Sequence, residues 1–331
     1  MTSQALVVGV DLGGTKISTA LVDVNGQIIA HDYRETQADK GQAVVIDRML
    51  DAVRQVMEQA DIPKAQVRAV GIGAPGPLDI HAGVVIAPPN LPGWRDVPLK
   101  ELIEERVGIK TFLENDANAA ALAEHRFGAG QGCDHVIYVT VSTGVGGGLI
   151  LDGKLYHGAE GAAGEVGHIT ILPNGPLCGC GNRGCLEALA SGTAIAKRAR
   201  EVVSRGAPTV IAELADGDPE RITAKLVAEA AEQGDFEARK ILSEAMNYLG
   251  IGIASLVNLF NPQVIVIGGG LSNLGERLLE PVRRGVARHA FAAPARTVQV
   301  VLAELGDKSG VLGAAAAALT QIEREISFKI S

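Results

Sequence analysis

The sequence predicts an α/β fold that contains two similar halves. Strand-like and helix-like segments alternate along the chain, which is typical of an α/β layer with a mixed sheet. A segment that reads strand, glycine loop, strand also occurs twice, as VVGVDLGGTKISTALVDVNG (7–26) and IYVTVSTGVGGGLILDGKL (137–155). No low-complexity linker separates the two copies. Together these observations indicate an internal duplication, which informs the fold class.

The elements of the first half follow from apolar patterning and turn residues. Asn25-Gly26 is a strong hairpin signal between two strands. Apolar residues recur at helical spacing from Val45 to Val56 and predict a long helix. The predicted order is strands at 5–10, 17–24 and 27–30, a helix at 42–60, a strand at 67–72, a helix at 99–106 and a strand at 110–113.

The second half is predicted by the same criteria. An alanine-rich helix comes first and is followed by the repeated strand–loop–strand segment. Helical patterning then dominates until an apolar strand that ends in three consecutive glycines. The predicted order is a helix at 116–127, strands at 136–142 and 148–151, helices within 191–260, a strand at 264–267 and a last helix at 309–326.

Length and composition exclude several classes of protein. The 331 residues suggest two domains or one large one, and a hydrophobic content of 47% argues against disorder. Lys and Arg number 30 against 38 Asp and Glu, a net charge of −8, which disfavours general nucleic-acid binding because phosphates would be repelled. The start lacks a secretory signal, no apolar run reaches the ~18 residues that span a bilayer, and four cysteines make no disulfide framework. We therefore expect a soluble cytoplasmic protein.

Two glycine loops are candidates for phosphate binding. In the first, Asp11 to Lys16 (DLGGTK), Gly13 and Gly14 allow backbone N–H groups to approach an anion, while Thr15 and Lys16 add a hydroxyl and a positive charge. Asp11 is suited to Mg²⁺ or its water, because hard cations prefer carboxylates. The loop is not a P-loop, since Thr15 stands where that motif needs Lys. The second loop, Ser142 to Gly148 (STGVGGG), repeats the pattern and suggests two phosphate loops facing one cleft.

A glycine pattern in the first half resembles a dinucleotide fingerprint only formally. Gly71 to Gly76 reads G-x-G-x-x-G after a strand, but the following Pro-Gly-Pro cannot open a helix with free N–H groups. A rigid loop near a ligand, or a purely structural turn, is the better interpretation.

Polar residues crowd the junction between the strand at 110–113 and the next helix. Asn115 and Asp116 lie in the segment LENDANAAALAE. One helix cap needs one such residue, and ligands of open α/β sheets bind at the carboxyl ends of strands. We favour a functional role here, with capping as a secondary role.

The cysteine-rich segment is the most specific motif. His168 in Glu165-Val-Gly-His168 precedes Cys178, Cys180 and Cys185 in CGCGNRGCLE, which together form a Cys₃His set typical of structural zinc. A disulfide between Cys178 and Cys180 would be strained. Cys133 has no such company and is predicted to be a plain buried residue. The remaining histidines are isolated, and we interpret each as a surface or structural residue.

These motifs together resemble the ROK family of sugar kinases and sugar-responsive repressors. The resemblance implies the actin-like, hexokinase-like (ribonuclease H-like) duplicated fold, with a small domain of residues 1–115 plus 309–331 and a large domain of 116–308 around a cleft. It implies Asp116 as the catalytic base. It implies zinc held by His168, Cys178, Cys180 and Cys185.

The resemblance also implies the substrates and their sites. Sugar would contact Gly76, Asn90, Asn115, Asp116, Glu165, His168 and Glu187. MgATP would contact Asp11, Gly13, Gly14, Thr15, Lys16, Thr143, Gly144, Gly146, Gly269 and Gly270. The family commonly forms homodimers or homotetramers, which we expect here too.

Several functions remain open on sequence grounds. GAPGPLD (73–79) and PNLPGW (89–94) resemble the glucose-phosphorylating branch of the family more than the fructose or amino-sugar branches, so we expect glucose 6-phosphate as the product. A kinase for fructose, mannose, N-acetylglucosamine or N-acetylmannosamine is the first alternative. A non-catalytic sugar-responsive regulator is the second. Only ten residues precede Asp11, which we expect to be too few for the DNA-binding domain of a family repressor.

Overall fold

Two five-stranded mixed sheets form the framework. The computed structural model describes the backbone of residues 5–330 and the side chains of residues 5–326. Its strands are β1 Leu6–Leu12, β2 Lys16–Val22, β3 Ile28–Glu35, β4 Val67–Ala74, β5 Leu78–Asp79, β6 Val84–Val85, β7 Thr111–Asn115, β8 Val136–Val141, β9 Val145–Leu151, β10 Lys154–Leu155, β11 Val264–Gly268 and β12 Gln299–Leu302.

The two sheets share one topology. Their strand orders are β3-β2-β1-β4-β7 and β10-β9-β8-β11-β12, and β5 pairs with β6 separately. In each, the first three strands are antiparallel neighbours and the last three are parallel. The predicted α/β class and internal duplication are confirmed.

Eleven α-helices are described between residues 5 and 330. They are α1 Gln42–Gln59, α2 Leu99–Val107, α3 Asp116–Phe127, α4 Leu186–Ala190, α5 Gly192–Ser204, α6 Val210–Leu214, α7 Ala224–Glu232, α8 Phe236–Phe260, α9 Glu276–His289, α10 Ala292–Thr297 and α11 Ser309–Ile330. In the part of the chain that the structure describes, no helix is long and apolar enough to cross a membrane.

The alanine-rich helices α3 and α11 join the two sheets. Helix α11 packs so closely on the first sheet that a Cβ at Gly71 would lie 1.9 Å from the Ala314 carbonyl oxygen. Helix α3 packs on the second sheet, where a Cβ at Gly148 would lie 2.6 Å from Ala121 Cβ. The two helices also touch, since a Cβ at Gly313 would lie 2.2 Å from the main-chain oxygen of Ala119.

This packing explains two features of the sequence. The alanines are small because four layers of backbone, the two sheets and the two helices between them, approach one another closely there. Gly71 is a packing residue against α11, so the formal G-x-G-x-x-G pattern is structural at that position.

The structure differs from the predicted elements at several points. Strand β9 begins at Val145 rather than at Gly148, so the second glycine loop is reduced to Ser142–Gly144. Strand β3 runs on to Glu35, and the sequence pattern did not indicate β12. Cys133, predicted to be buried, is partly exposed at the edge of a core cluster.

Register places the candidate residues at one edge of each sheet. In the first sheet Asp11 pairs with Gly73, and Gly73 pairs with Glu114, so the three lie in one row. Asn115 ends β7 at its carboxyl end, and Asp116 begins α3 directly after it. In the second sheet, β8 and β11 run parallel and their last paired residues are Thr140 and Gly268, beside the second glycine loop. Ligands of α/β sheets bind at such carboxyl edges.

Candidate active site

The first glycine loop is a tight hairpin turn between β1 and β2. The Gly13 N–H donates to the Lys16 carbonyl at 2.9 Å, and the Thr36 hydroxyl braces the turn by donating to the Gly13 carbonyl at 2.6 Å. The loop also lies against the Asn90 segment, because a Cβ at Gly14 would lie 2.6 Å from the Asn90 carbonyl oxygen. A predicted phosphate-binding residue and a predicted sugar-binding residue are therefore neighbours.

Asp11 lies at the end of β1, next to the start of α11. A Cβ at Gly310 would be 2.3 Å from Asp11 Oδ2, so only glycine fits the first turn of that helix beside the carboxylate. Burial and, to a smaller extent, the nearby charge of Asp116 raise the pKa of Asp11 against the opposing charge of Lys16, with a net value of about 6. A carboxyl group kept in a place where burial and a neighbouring negative charge disfavour its ionised form is typical of a functional site.

Asn115 and Asp116 form the first turn of α3. Asn115 Oδ1 caps the helix by accepting the N–H groups of Ala117 at 3.0 Å and Asn118 at 3.2 Å. Asp116 Oδ1 accepts the Ala117 N–H at 2.8 Å. Gly76 lies beside this turn, where a Cβ would be 3.6 Å from Asn115 Nδ2.

Burial is the main reason that the pKa of Asp116 is raised, and the charge of Glu165 adds to the effect. The hydrogen bonds from the first turn of α3 act in the opposite direction. A carboxylate with a raised pKa is a better proton acceptor near neutral pH than an exposed one.

Glu165 and His168 lie on one short turn that faces Asp116. His168 Nε2 is 3.9 Å from Glu165 Oε2, and the other ring nitrogen, Nδ1, is 3.8 Å from Cys178 Sγ. The imidazole therefore bridges a carboxylate on the cleft side and a thiol on the other.

The cysteine-rich segment folds into a compact cluster. The ligand atoms of His168, Cys178, Cys180 and Cys185 all lie within 4.8 Å of one another. Cys180 Sγ and Cys185 Sγ are 3.7 Å apart. A tetrahedral ion with Zn–S bonds of about 2.3 Å needs sulfur atoms about 3.8 Å apart, so these donors fit zinc.

Glu187 links the cysteine cluster to the second glycine loop. Its Oε2 accepts the Val145 N–H at 3.0 Å, and the Cys178 thiol lies 3.7 Å from its Oε1. A Cβ at Gly144 would lie 2.4 Å from Glu187 Oε2, which accounts for the glycine there. Part of the carboxylate's hydrogen-bonding capacity is thus already used within the protein.

A cavity of about 730 Å³ opens beside the second glycine loop. Of the residues predicted to contact nucleotide, Thr143 and Gly270 line it. Gly269 has a φ of +83°, and a Cβ there would lie 2.6 Å from the Val141 carbonyl oxygen, so it supports the turn behind the cavity. Gly146 lies within β9 and packs against Thr140 and Ala117.

The other walls of this cavity come from residues that the sequence did not single out. They lie on α5, α7, the turn after β11 and the first turn of α9, far apart in the chain and outside any motif. They include Thr193, Arg200, Lys225, Ala228, Asn273 and Arg277. The N-terminus of α5 is tied to the loop, because the Thr193 hydroxyl donates to the Thr143 carbonyl at 2.8 Å.

Comparison with known proteins gives one consistent result. A sequence model described as the ROK family matches residues 7–321. A glucokinase of Thermotoga maritima is 41% identical over 309 residues, which cover 93% of this chain and 96% of that protein. A putative xylose repressor of Caldicellulosiruptor is 36% identical over 96% of this chain and 79% of its own length.

A solved structure agrees closely with the fold. It is a ROK family glucokinase from Streptomyces griseus, in complex with glucose and AMPPNP. That structure superposes with a TM-score of 0.80 at 41% identity and covers 96% of this chain and 100% of its own. The predicted actin-like, hexokinase-like fold is confirmed.

Proposed function

This chain belongs to the ROK family, and from that membership and the site geometry we propose that it phosphorylates glucose from MgATP. The predicted hexose kinase activity is supported by glucokinase relatives at about 40% identity over more than nine-tenths of the chain. The observation that carries the assignment is the pair of carboxylates at one sheet edge, Asp11 partly buried and Asp116 exposed, whose charges interact.

Asp116 is the proposed catalytic base. The 6-hydroxyl oxygen of the sugar forms the new bond to the γ-phosphorus, the bond from that phosphorus to the bridging oxygen of ADP breaks, and the hydroxyl proton passes to the Asp116 carboxylate. Such a base contributes ~10²–10⁴-fold, and positioning and charge stabilisation contribute the rest. The raised pKa of Asp116 suits it to accepting a proton.

Sugar and nucleotide are proposed to bind on either side of Asp116. Asn90, Asn115, Glu165, His168 and Glu187, with the backbone at Gly76, would hold the sugar hydroxyls. The two glycine loops would hold the phosphates, with the adenosine in the cavity at Thr143 and Gly270. Residues Gly13 to Lys16 line the other side of the phosphate path.

Two metal ions belong to this proposal. Asp11 would hold Mg²⁺ directly or through water, and that ion supplies positive charge to the transferring phosphoryl group. Zinc would be held by His168, Cys178, Cys180 and Cys185, and with four protein ligands it supplies structural order. The geometry supports zinc as an organiser of the sugar site, because His168 also faces Glu165 and Cys185 precedes the helix that carries Glu187.

Domain division, assembly and location complete the proposal. We propose that residues 1–115 with 309–331 and residues 116–308 form two units that close on the substrates and exclude water.

The exposed side chains of Phe236, Leu259 and Phe291 support a homodimer or homotetramer, which light scattering would measure. The free thiols, Cys180 exposed among them, favour the reducing cytoplasm.

Coupled ADP release with MgATP tests the function against a panel of sugars. The panel is glucose, mannose, fructose, glucosamine, N-acetylglucosamine and N-acetylmannosamine, and we expect the largest kcat/KM with glucose. A larger kcat/KM with another sugar would change the proposed substrate but would still support the proposed kinase activity. No turnover on any sugar by folded protein would favour a sugar-responsive regulator.

The zinc proposal is tested by Cys180→Ser. We expect loss of bound metal, measured by elemental analysis, together with roughly 10- to 100-fold weaker glucose binding by calorimetry. Cys133→Ser is the matched control, because Cys133 lies outside the cluster. Loss of zinc with unchanged glucose affinity would show that the metal does not organise the sugar site.

A further inference from the structure

A partly buried hydrogen bond connects the two halves behind the proposed sugar site. His157 Nε2 lies 2.8 Å from Glu114 Oε2. Glu114 is on β7 of the first sheet, directly before Asn115 and Asp116, whereas His157 follows β10 of the second sheet. The proposed mechanism gives neither residue a role.

His157 supplies one of the three hydrogen bonds that the Glu114 carboxylate accepts, and it is the one on Oε2. Its Oε1 accepts the Asn115 N–H at 3.0 Å and Asn118 Nδ2 at 3.1 Å. Its Oε2 accepts from His157 alone among the side chains and backbone described here. Only 5% of Glu114 is exposed, so loss of that donor leaves a carboxylate oxygen buried without a partner.

The same histidine anchors a loop of the second half. The His157 carbonyl accepts the Ala163 N–H at 3.0 Å and closes the loop 157–163. At its tip the loop reaches the first half, where a Cβ at Gly161 would lie 3.3 Å from Ile80. The chain leaves this loop directly into Glu165 and His168.

We propose that His157 is a positioning residue that holds the sugar-binding groups of the two halves in register. Through Glu114 it fixes the main chain at Asn115, whose side chain caps the helix that begins with Asp116. Through its own backbone it fixes the loop that leads to Glu165 and His168. One side chain thus sets the spacing between sugar-binding groups that belong to different sheets.

The proposal rests on the proposed function for the identity of the ligand, and it assigns His157 no contact with the sugar. It requires that loss of the hydrogen bond weakens glucose binding but leaves nucleotide binding alone, because neither His157 nor Glu114 lines the proposed nucleotide cavity. A role in stability alone would lower the melting temperature without such a split.

The test compares His157→Leu with His157→Gln. Leucine removes the donor, whereas the glutamine amide nitrogen can reach a position close to that of Nε2. We expect His157→Leu to raise the dissociation constant and KM for glucose roughly 10- to 100-fold with KM for ATP unchanged. We expect His157→Gln to recover most of that loss.

The matched control is His125→Leu. His125 is also a half-buried histidine with one hydrogen bond, since its Nε2 donates to the Cys133 carbonyl at 3.0 Å near the far end of α3. It should lose a similar amount of thermal stability and keep the glucose affinity of the wild type. The proposal would be overturned if His157→Leu bound glucose as tightly as the wild type. It would also be overturned if His157→Leu and His125→Leu lost the same amount of glucose affinity.

A double-mutant cycle with Glu114→Gln completes the test. Glutamine leaves no charge to strand, so His157→Leu should cost much less in glucose affinity in that background than in the wild type. Independent, additive effects would overturn the proposal. Glucose binding measured by calorimetry does not depend on turnover. If the wild type bound glucose without phosphorylating it, the proposed kinase activity would be refuted, but the effect of His157 on glucose affinity could still be measured.

Discussion

The two sheets share their topology but differ in the chemistry at their carboxyl edges. The edge of the first sheet holds two carboxylates of raised pKa, Asp11 and Asp116. The corresponding edge of the second sheet holds the hydroxyls and glycines of Ser142–Gly144 and Gly268–Gly270, beside a cavity of about 730 Å³. Duplication thus supplied two similar edges, of which one is suited to chemistry and the other to recognition.

The difference follows from what was added to each half. Between β10 and β11 the second half carries five helices, α4 to α8, and the cysteine cluster. Helices α5 and α7 build the cavity walls, and α4 carries Glu187. The first half has no such insertion at its edge, so its charged groups depend on α3 and α11 for support.

Asp116→Asn is expected to have the largest effect, because it removes the proposed proton acceptor at the edge of the first sheet and leaves the edge of the second sheet unchanged. The amide keeps the size and the hydrogen-bonding ability of the side chain but cannot accept the proton. We expect kcat to fall by at least ~10²-fold while the glucose dissociation constant changes little. Steady-state kinetics and calorimetry measure the two quantities.

The control for this variant is Asp51→Asn, an exposed aspartate on α1 that pairs with Arg54. It should keep normal kcat and KM. Near-normal turnover by Asp116→Asn would remove Asp116 from the role of base.

The residues at the carboxyl edges of the two sheets could be predicted from the sequence because their motifs are short and continuous in the chain. Asp11, Asn115 and Asp116 follow apolar strands directly, and the cysteine spacing defines its cluster within eight residues. Parallel strand order then brings residues from different segments to one edge. The duplicated sheets, the helix at 116–127 and the Cys₃His cluster were all predicted on this basis.

Long-range contacts between isolated residues could not be predicted in this way. Glu114 and His157 are 43 residues apart and belong to no common motif, so His157 alone gave no signal beyond a structural histidine. The walls of the proposed nucleotide cavity come from several separate elements, and Thr193, Lys225 and Arg277 have no fixed spacing. The sequence showed the helices of this region but not which faces meet.

Asp11→Asn tests the energetic cost of the charged edge. Asp11 has a pKa of about 6 in the folded protein against an ordinary 3.8, so the folded state holds its proton more tightly than the unfolded state does. Its ionised form therefore destabilises the fold by up to about 3 kcal/mol above pH 6, and this cost disappears as the pH falls below about 4. In the absence of nucleotide and metal, Asp11→Asn should be more stable than the wild type at pH 8.

The pH dependence distinguishes this cost from other effects of the substitution. Urea unfolding at pH 8 and pH 5 should show a larger gain for Asp11→Asn at pH 8, with Asp51→Asn showing no such difference. A gain independent of pH would mean that ionisation of Asp11 is not its source. A loss at both values would mean that the carboxylate stabilises the fold, for example through the start of α11.

Ala228→Phe tests the proposed nucleotide cavity at the edge of the second sheet and has the smallest expected effect of the three substitutions. Ala228 on α7 lines the cavity, and neither Asp11 nor Asp116 does, so a phenyl ring there would occupy space that the proposed adenosine site needs. We expect KM for ATP to rise about tenfold, or about 1.4 kcal/mol, with the glucose dissociation constant unchanged. Ala212→Phe on α6, outside the cavity, is the control for introducing a phenyl ring into this helical region. If Ala228→Phe weakened glucose binding as much as ATP binding, the two edges would not be separate recognition sites, and the division between chemistry and recognition drawn from the topology would fail.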